Sequence, residues 1–390
     1  MNTTHSYISD IVTNMPDSGI KDFFDVANVL DGALSLGVGE PDFPTPQHVR
    51  QAGIDSLLKP DTKYTDNRGT VELREACAKY LEKYDLHYDK ADEILITVGA
   101  SEGIDLALRT LVNPGDEVLI VEPCYVSYEP CVLLCGGVPV CLEMKAENKF
   151  RLTREQLEEK ITDKTKVLLL PFPSNPTGAI MEREDLEAIR ETLIAHDIFV
   201  ISDEIYAELT YGKPHVSIAS LEGMAERTVV LNGFSKAFAM TGWRMGMAAG
   251  PKEVIFGMNK IHQYTTMSAN TTSQYAALEA LTYPGRDEEI AIMREEYNKR
   301  RVYLVERFRK MGIEVAEPEG AFYVFPSIAK FGMTSQKFCQ ELLDKEKVAV
   351  IPGDAFGRSG EGFVRCSYAY SLDKIEACLD RIEHFIQGLS

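Results

Sequence analysis

From about residue 46 to 285 the chain alternates between helical periodicity and short, unbroken apolar runs. "GIDLALRTLV" is helical in period and stops at the turn "NPGD", after which "EVLIVEP" reads as a buried strand. "REQLEEKI" and "REDLEAIRETLIAHD" predict further helices. "KVLLLPFPSNPTG", "IFVISDEIY" and "RTVVLNGFSK" predict strands that run into loops, and "GWRMGMAAG" a strand interrupted by glycines. Short strands without polar alternation, separated by helices, predict a largely parallel sheet covered on both faces. In such sheets ligands sit at the carboxyl ends of the strands.

The last hundred residues change character. "GAFYVFP", "VAVIPG" and "GFVRCSYA" predict strands of a smaller α/β layer, with helices at "SQKFCQELLDKEK" and "LDKIEACLDRIEHFIQGL". The first 45 residues are expected to pack with it. The predicted organisation is a large domain over 46–285 and a smaller, discontinuous α/β domain from 1–45 and 286–390, in a chain of 390 residues.

Composition narrows the partners. A net charge of -19 argues against nucleic acid and anionic membrane surfaces. No stretch approaches the ~18 consecutive apolar residues of a membrane span, and the N-terminus does not read as a signal peptide. The eight cysteines show no CxxC pair and no zinc spacing, so they are expected reduced, in a cytoplasmic protein. The seven histidines are scattered and suggest no metal site. "GRSGEG" lacks dinucleotide-binding spacing, and there is no P-loop or HExxH.

Four strand ends carry the chemistry. Asn175 follows "VLLLPFP", Asp203 and Tyr206 follow "IFVI", Lys236 follows "VVLN", and "ITVGASEGI" places a glycine-rich turn before a helix starting near Ser101. Lys236 stands among Phe234, Ala237, Phe238, Ala239 and Met240. An apolar setting disfavours the ammonium form, and a neutral lysine amine condenses with an aldehyde to give a Schiff base. Pyridoxal phosphate uses that reaction. It also needs a carboxylate for its pyridine nitrogen, donors for its phenolic oxygen and an anion site for its phosphate. Asp203, Asn175 with Tyr206, and residues 99–103 with Arg244 match these needs by residue type. Singly, each has an ordinary explanation: a rim lysine, a capping aspartate, a turn at "NPTG", a strand-to-helix loop. Their joint occurrence in this order is what weighs against those explanations.

"GFSKAFAMTGWRMG" resembles the lysine signature of class I and II aminotransferases, pyridoxal phosphate enzymes of fold type I. "GEPDFPTP", "YTDNRG", "NPTG", "SDEIY", "GAFYVFP" and "GFVRCSYA" are similar to the family's other landmarks, in the family's order, from about Ser18 to the C-terminal helix. The resemblance implies roles. Lys236 is the Schiff-base lysine and the base that moves the Cα proton. Asp203 pairs with the pyridine nitrogen, Asn175 and Tyr206 with the phenolic oxygen, and Tyr125 stacks on the cofactor. Ala100, Ser101 and Arg244 hold the phosphate, as does Tyr64 from a neighbouring subunit, which implies a homodimer with shared active sites. Arg365 clamps the substrate α-carboxylate, and Gly39 lies where a backbone group approaches the substrate.

Two departures qualify the resemblance. Gly233 stands where some members carry a phosphate-binding serine. "HQYTTMSANTTSQ" lacks the second arginine that aspartate-specialised members use. The wording most resembles broad-specificity aromatic and aspartate aminotransferases of bacteria and archaea. The expected reaction is transfer of an amino group from an L-amino acid to a 2-oxo acid, 2-oxoglutarate first among them. The alternatives are a carbon–sulfur lyase of the same fold and a non-catalytic pyridoxal-phosphate-sensing regulator. The regulator needs an added DNA-binding segment, for which residues 1–19 are short and not basic.

Overall fold

The structure, a computed structural model, describes residues 7–15, 19, 32–60 and 62–389. Expectations for other positions, including most of the first 31 residues, lie outside the described residues. In chain order the strands are β1 (Leu34–Ser35), β2 (Ile94–Thr97), β3 (Glu117–Glu122), β4 (Val138–Glu143), β5 (Thr165–Leu170) and β6 (Phe199–Asp203). They continue with β7 (Thr228–Gly233), β8 (Gly246–Ala249), β9 (Tyr323–Val324), β10 (Val348–Ala349), β11 (Ile351–Pro352) and β12 (Val364–Ser367).

Seven strands form the main sheet, in the order β2-β8-β7-β6-β5-β3-β4. Only β8 runs against its neighbours; the pairs from β7 through to β4 are parallel. The apolar runs fail to alternate because both faces are covered. In β5, Leu168 and Leu170 enter one core, while Val167 and Leu169 enter another. β7 and β8 are antiparallel neighbours, so a loop joins them without a crossover helix. That loop carries Lys236.

"GWRMGMAAG" forms less strand than its apolar residues predict. Only Gly246–Ala249 pairs, and residues 241–243 form a short 3-10 turn. The ladder starts at Gly246 because the chain there packs on the Gly99 turn, where a Cβ on Gly246 would lie 2.7 Å from the Ala100 nitrogen.

The smaller layer holds the antiparallel sheet β11-β12-β9 and the parallel pair β1-β10. The β1-β10 pairing ties an early segment of the chain to a late one. Between the two layers runs the 25-residue helix Arg286–Lys310. Its charged sequence hides an inward stripe of Ile290, Met293, Tyr297, Leu304 and Phe308. All eight cysteines are free. Among the described residues no helix is long and apolar enough to cross a membrane.

Candidate active site

The carboxyl ends of β2, β3, β5, β6 and β7 open into one cavity of about 410 Å³. Ala100, Ser101, Tyr125, Asn175, Asp203, Tyr206, Lys236 and Arg244 line it from the main sheet, with Gly39 and Arg365 from the smaller layer. Tyr64 does not line it and is 81% exposed.

Lys236 retains some exposure to the cavity, yet its ammonium is closely surrounded by protein. Nζ donates to the Gly39 carbonyl at 2.6 Å and lies 5.7 Å and 5.5 Å from the ring centres of Tyr206 and Phe322. Desolvation, reinforced by the Arg365 cation, lowers its pKa to about 8. A fraction of the amine is therefore neutral near pH 7, as a nucleophile or proton acceptor must be.

Asp203 ends β6, where its strand is buried on both faces. Desolvation raises its pKa to about 6, against a pull from the Tyr128 hydroxyl, which donates to Oδ2 at 2.8 Å, and from the Ile205 N–H. Tyr128 escaped the sequence reading. It stands three residues after Tyr125 in "YVSY" and opens the helix Tyr128–Leu134, so its spacing from an already suspected aromatic was the available signal. The two rings meet edge to face, with centres 5.9 Å apart.

Arg365 lies on β12 with 2% exposure, its guanidinium between the rings of Tyr323 and Phe356 at 4.5 Å and 4.7 Å. Nη1 donates to Asn175 Oδ1 at 2.8 Å, Nη2 donates to the Gly37 carbonyl, and Nε has no partner among the described residues. No carboxylate forms an ion pair with it among the described residues. A buried arginine without an acid is prepared for one that arrives with a ligand.

Tyr323, on β9, is a second residue the sequence reading did not single out. Its hydroxyl lies 2.9 Å from that of Tyr206, and a Cβ on Gly39 would come within 2.5 Å of it. Gly39 is thus the residue that lets backbone pass beside this tyrosine pair.

At the other end of the cavity Gly99 takes φ +74°, and a Cβ there would lie 2.7 Å from Arg244 Nη2. Glycine therefore serves twice, for the left-handed turn and for the close guanidinium. The helix Gly99–Leu111 begins at this turn, and the N–H groups of a helix start have no partner within the helix. Arg244 and those N–H groups make an anion cradle. Ser235, 8% exposed, also lines the cavity. A side chain at Gly233 would be tight, with a Cβ 3.1 Å from the Met245 carbonyl.

These groups fit pyridoxal phosphate: Asp203 is a buried carboxylate, the Gly99 turn and Arg244 offer donors to an anion, and Lys236 offers an amine in the same cavity.

The family described as Aminotransferase class I and II matches residues 31–382. A putative aminotransferase, YugH of Bacillus subtilis, is 49% identical over 382 residues, 98% of each chain. The aromatic-amino-acid aminotransferase 2 of Thermococcus litoralis is 42% identical, covering 97% of this chain and 98% of its own. The solved aspartate aminotransferase of Thermus thermophilus with maleate superposes with a TM-score of 0.93 at 37% identity, over 97% of this chain and 99% of its own. The chain belongs to the class I and II aminotransferases and is a transaminase of fold type I that moves amino groups with pyridoxal phosphate.

Proposed function

We propose that the protein transfers the amino group of an aromatic L-amino acid or aspartate to a 2-oxo acid, 2-oxoglutarate first among them, with donor and acceptor using one site in turn. The observation that carries this reading is Arg365, a buried guanidinium with no acidic partner among the described residues, in the same cavity as the Lys236 amine. Relatives named as aromatic and aspartate aminotransferases support both donor classes.

Pyridoxal phosphate, when bound, supplies an aldehyde and an electron sink. In the proposed roles Lys236 Nζ would hold the cofactor through its aldehyde and, as a free amine, would take the proton from the donor's Cα. Gly39 positions that amine through its carbonyl. Arg365 binds the α-carboxylate with its planar fork, and Asn175 holds the fork in register from one side. Asp203, as a carboxylate, would keep the ring nitrogen protonated, and Tyr128 orients Asp203. Asn175 and Tyr206 would hold the phenolic oxygen, Tyr125 would pack on the ring, and Ala100, Ser101, Arg244 and Ser235 would hold the phosphate. Ser235 stands in for the hydroxyl that Gly233 lacks.

The same reading makes the protein a cytoplasmic homodimer in which Tyr64 completes the partner's phosphate site. Leu58, Tyr64, Tyr264 and Met267 are exposed. Their segments are tied together by Asn67 Nδ2 donating to the Met267 carbonyl at 2.6 Å and Thr271 Oγ1 to that of Lys63 at 3.1 Å. Clustered apolar exposure of this kind marks an interface. The division into 46–285 and a smaller domain from 1–45 and 286–390 is part of the proposal, supported by β1 pairing with β10. Measuring initial rates with phenylalanine, tyrosine and aspartate as donors to 2-oxoglutarate tests it. Glutamate formation from at least one of them is expected; transfer from none of the three overturns the donor assignment.

A further inference from the structure

Glu102 and His262 form a pair beside the cavity that none of the roles above uses. Glu102 lies in the first turn of the helix Gly99–Leu111, one residue past Ser101, and does not line the cavity. It folds back, so that Oε2 accepts the Val98 N–H at 2.5 Å. Its other oxygen, Oε1, accepts from His262 Nδ1 at 2.8 Å and from Thr266 Oγ1 at 2.9 Å. Burial by itself would raise the carboxyl's pKa, but the hydrogen bonds from His262 and the Val98 N–H outweigh it and hold the pKa below the usual value.

His262, on the helix Lys252–Thr265, is fully buried, and its Nε2 has no partner among the described residues. A lone pair at Nε2 tolerates that setting, whereas an N–H there would be a buried donor without an acceptor. The ring is thereby fixed as the Nδ1–H tautomer, which donates to Glu102.

The turn is closed on both sides. Glu102 takes the Val98 N–H, and Thr97 Oγ1 donates to the Gly99 carbonyl at 2.9 Å. Ala100 and Ser101 line the cavity, and their N–H groups, in the first turn of the helix, have no partner within it. We propose that Glu102, held by His262 and Thr266, is a positioning residue for the cofactor phosphate: it fixes the turn in the one shape that presents those N–H groups to the anion. The inference rests on the reading of the Gly99 turn as the phosphate site.

The test titrates the apoprotein with pyridoxal phosphate and, separately, with pyridoxal, which lacks the phosphate. The ratio of the two affinities isolates the phosphate site, and a melting temperature is recorded for every variant. In Glu102→Ala and His262→Leu the ratio falls about tenfold, the effect of disturbing one charge-assisted contact, while pyridoxal affinity is kept. In His262→Asn, whose amide restores a donor in place of Nδ1–H, the ratio recovers to within about threefold of the original. Glu102→Gln, which keeps the shape and loses the charge, serves if Glu102→Ala does not fold, with a fall of about threefold or more. An unchanged ratio overturns the proposal, as does an equal loss for both ligands with a lowered melting temperature. An unsubstituted protein that does not prefer pyridoxal phosphate to pyridoxal would instead overturn the placement of the phosphate on this turn.

Discussion

Tyr128 donates its hydroxyl proton to Asp203 Oδ2 at 2.8 Å, and both residues line the cavity. The bond favours the carboxylate form of Asp203 against the burial that raises its pKa to about 6. In the proposed reading that carboxylate meets the protonated ring nitrogen, so uptake of the cofactor depends on how readily Asp203 stays ionised.

Tyr128→Phe removes the bond and leaves the packing. Uptake of pyridoxal phosphate by the unsubstituted apoprotein is expected to weaken as pH falls through about 6, the value set by burial of Asp203. In the variant the carboxylate is less favoured, so the same loss begins at higher pH, by about one unit for a hydrogen bond to a charged group worth ~1.5 kcal/mol. Affinity measured between pH 5 and 8 checks this, and coincident curves would contradict it.

The Lys236 amine makes a second pH prediction. Its pKa is lowered from 10.5 to about 8 in the folded apoprotein, chiefly by desolvation. Between those values the unfolded chain binds a proton that the folded chain does not, so folding gains stability as pH rises and loses it as pH falls to 8. Each unit of depression is worth ~1.4 kcal/mol. Lys236→Met removes the burden, so its apoprotein should be the more stable at pH 7, with the advantage shrinking toward pH 10. Urea midpoints at both values decide it; a variant less stable at pH 7 contradicts the burial argument.

Arg365→Lys tests the carboxylate fork. A lysine ammonium cannot keep the bond to Asn175, the stacking between Tyr323 and Phe356 and a bidentate grip together. The expected result is a fall in kcat/KM for the amino donor of about 100-fold, the upper end for a charged hydrogen bond, with affinity for pyridoxal phosphate unchanged. A loss that falls on the cofactor instead of the donor would contradict the assignment.

How far the sequence alone reaches follows from where each partner lies in the chain. Asn175, Asp203 and Lys236 were legible because parallel strands deliver their carboxyl ends to one edge, so a polar residue after an apolar run already has an address. Tyr128 had only its spacing from Tyr125 to mark it, and that spacing does not say which way the first residue of a helix faces. Tyr323 meets Tyr206 across 117 residues, and His262 meets Glu102 across 160, distances over which neither periodicity nor spacing carries information. The helix Arg286–Lys310 was missed because charged residues crowd its apolar stripe and blur the helical period, although its acidic first turn and basic last turn were an available signal.

The central claim is that Lys236 holds pyridoxal phosphate covalently and gives it up to an amino acid. The most direct measurement is the visible absorbance of the purified protein, before and after adding one amino acid with no oxo acid present. A visible cofactor band that fades with phenylalanine, tyrosine or aspartate, returns on adding 2-oxoglutarate, and is missing in Lys236→Ala is the predicted result. Absence of any such band after pyridoxal phosphate is supplied, or its persistence in Lys236→Ala, would contradict the account.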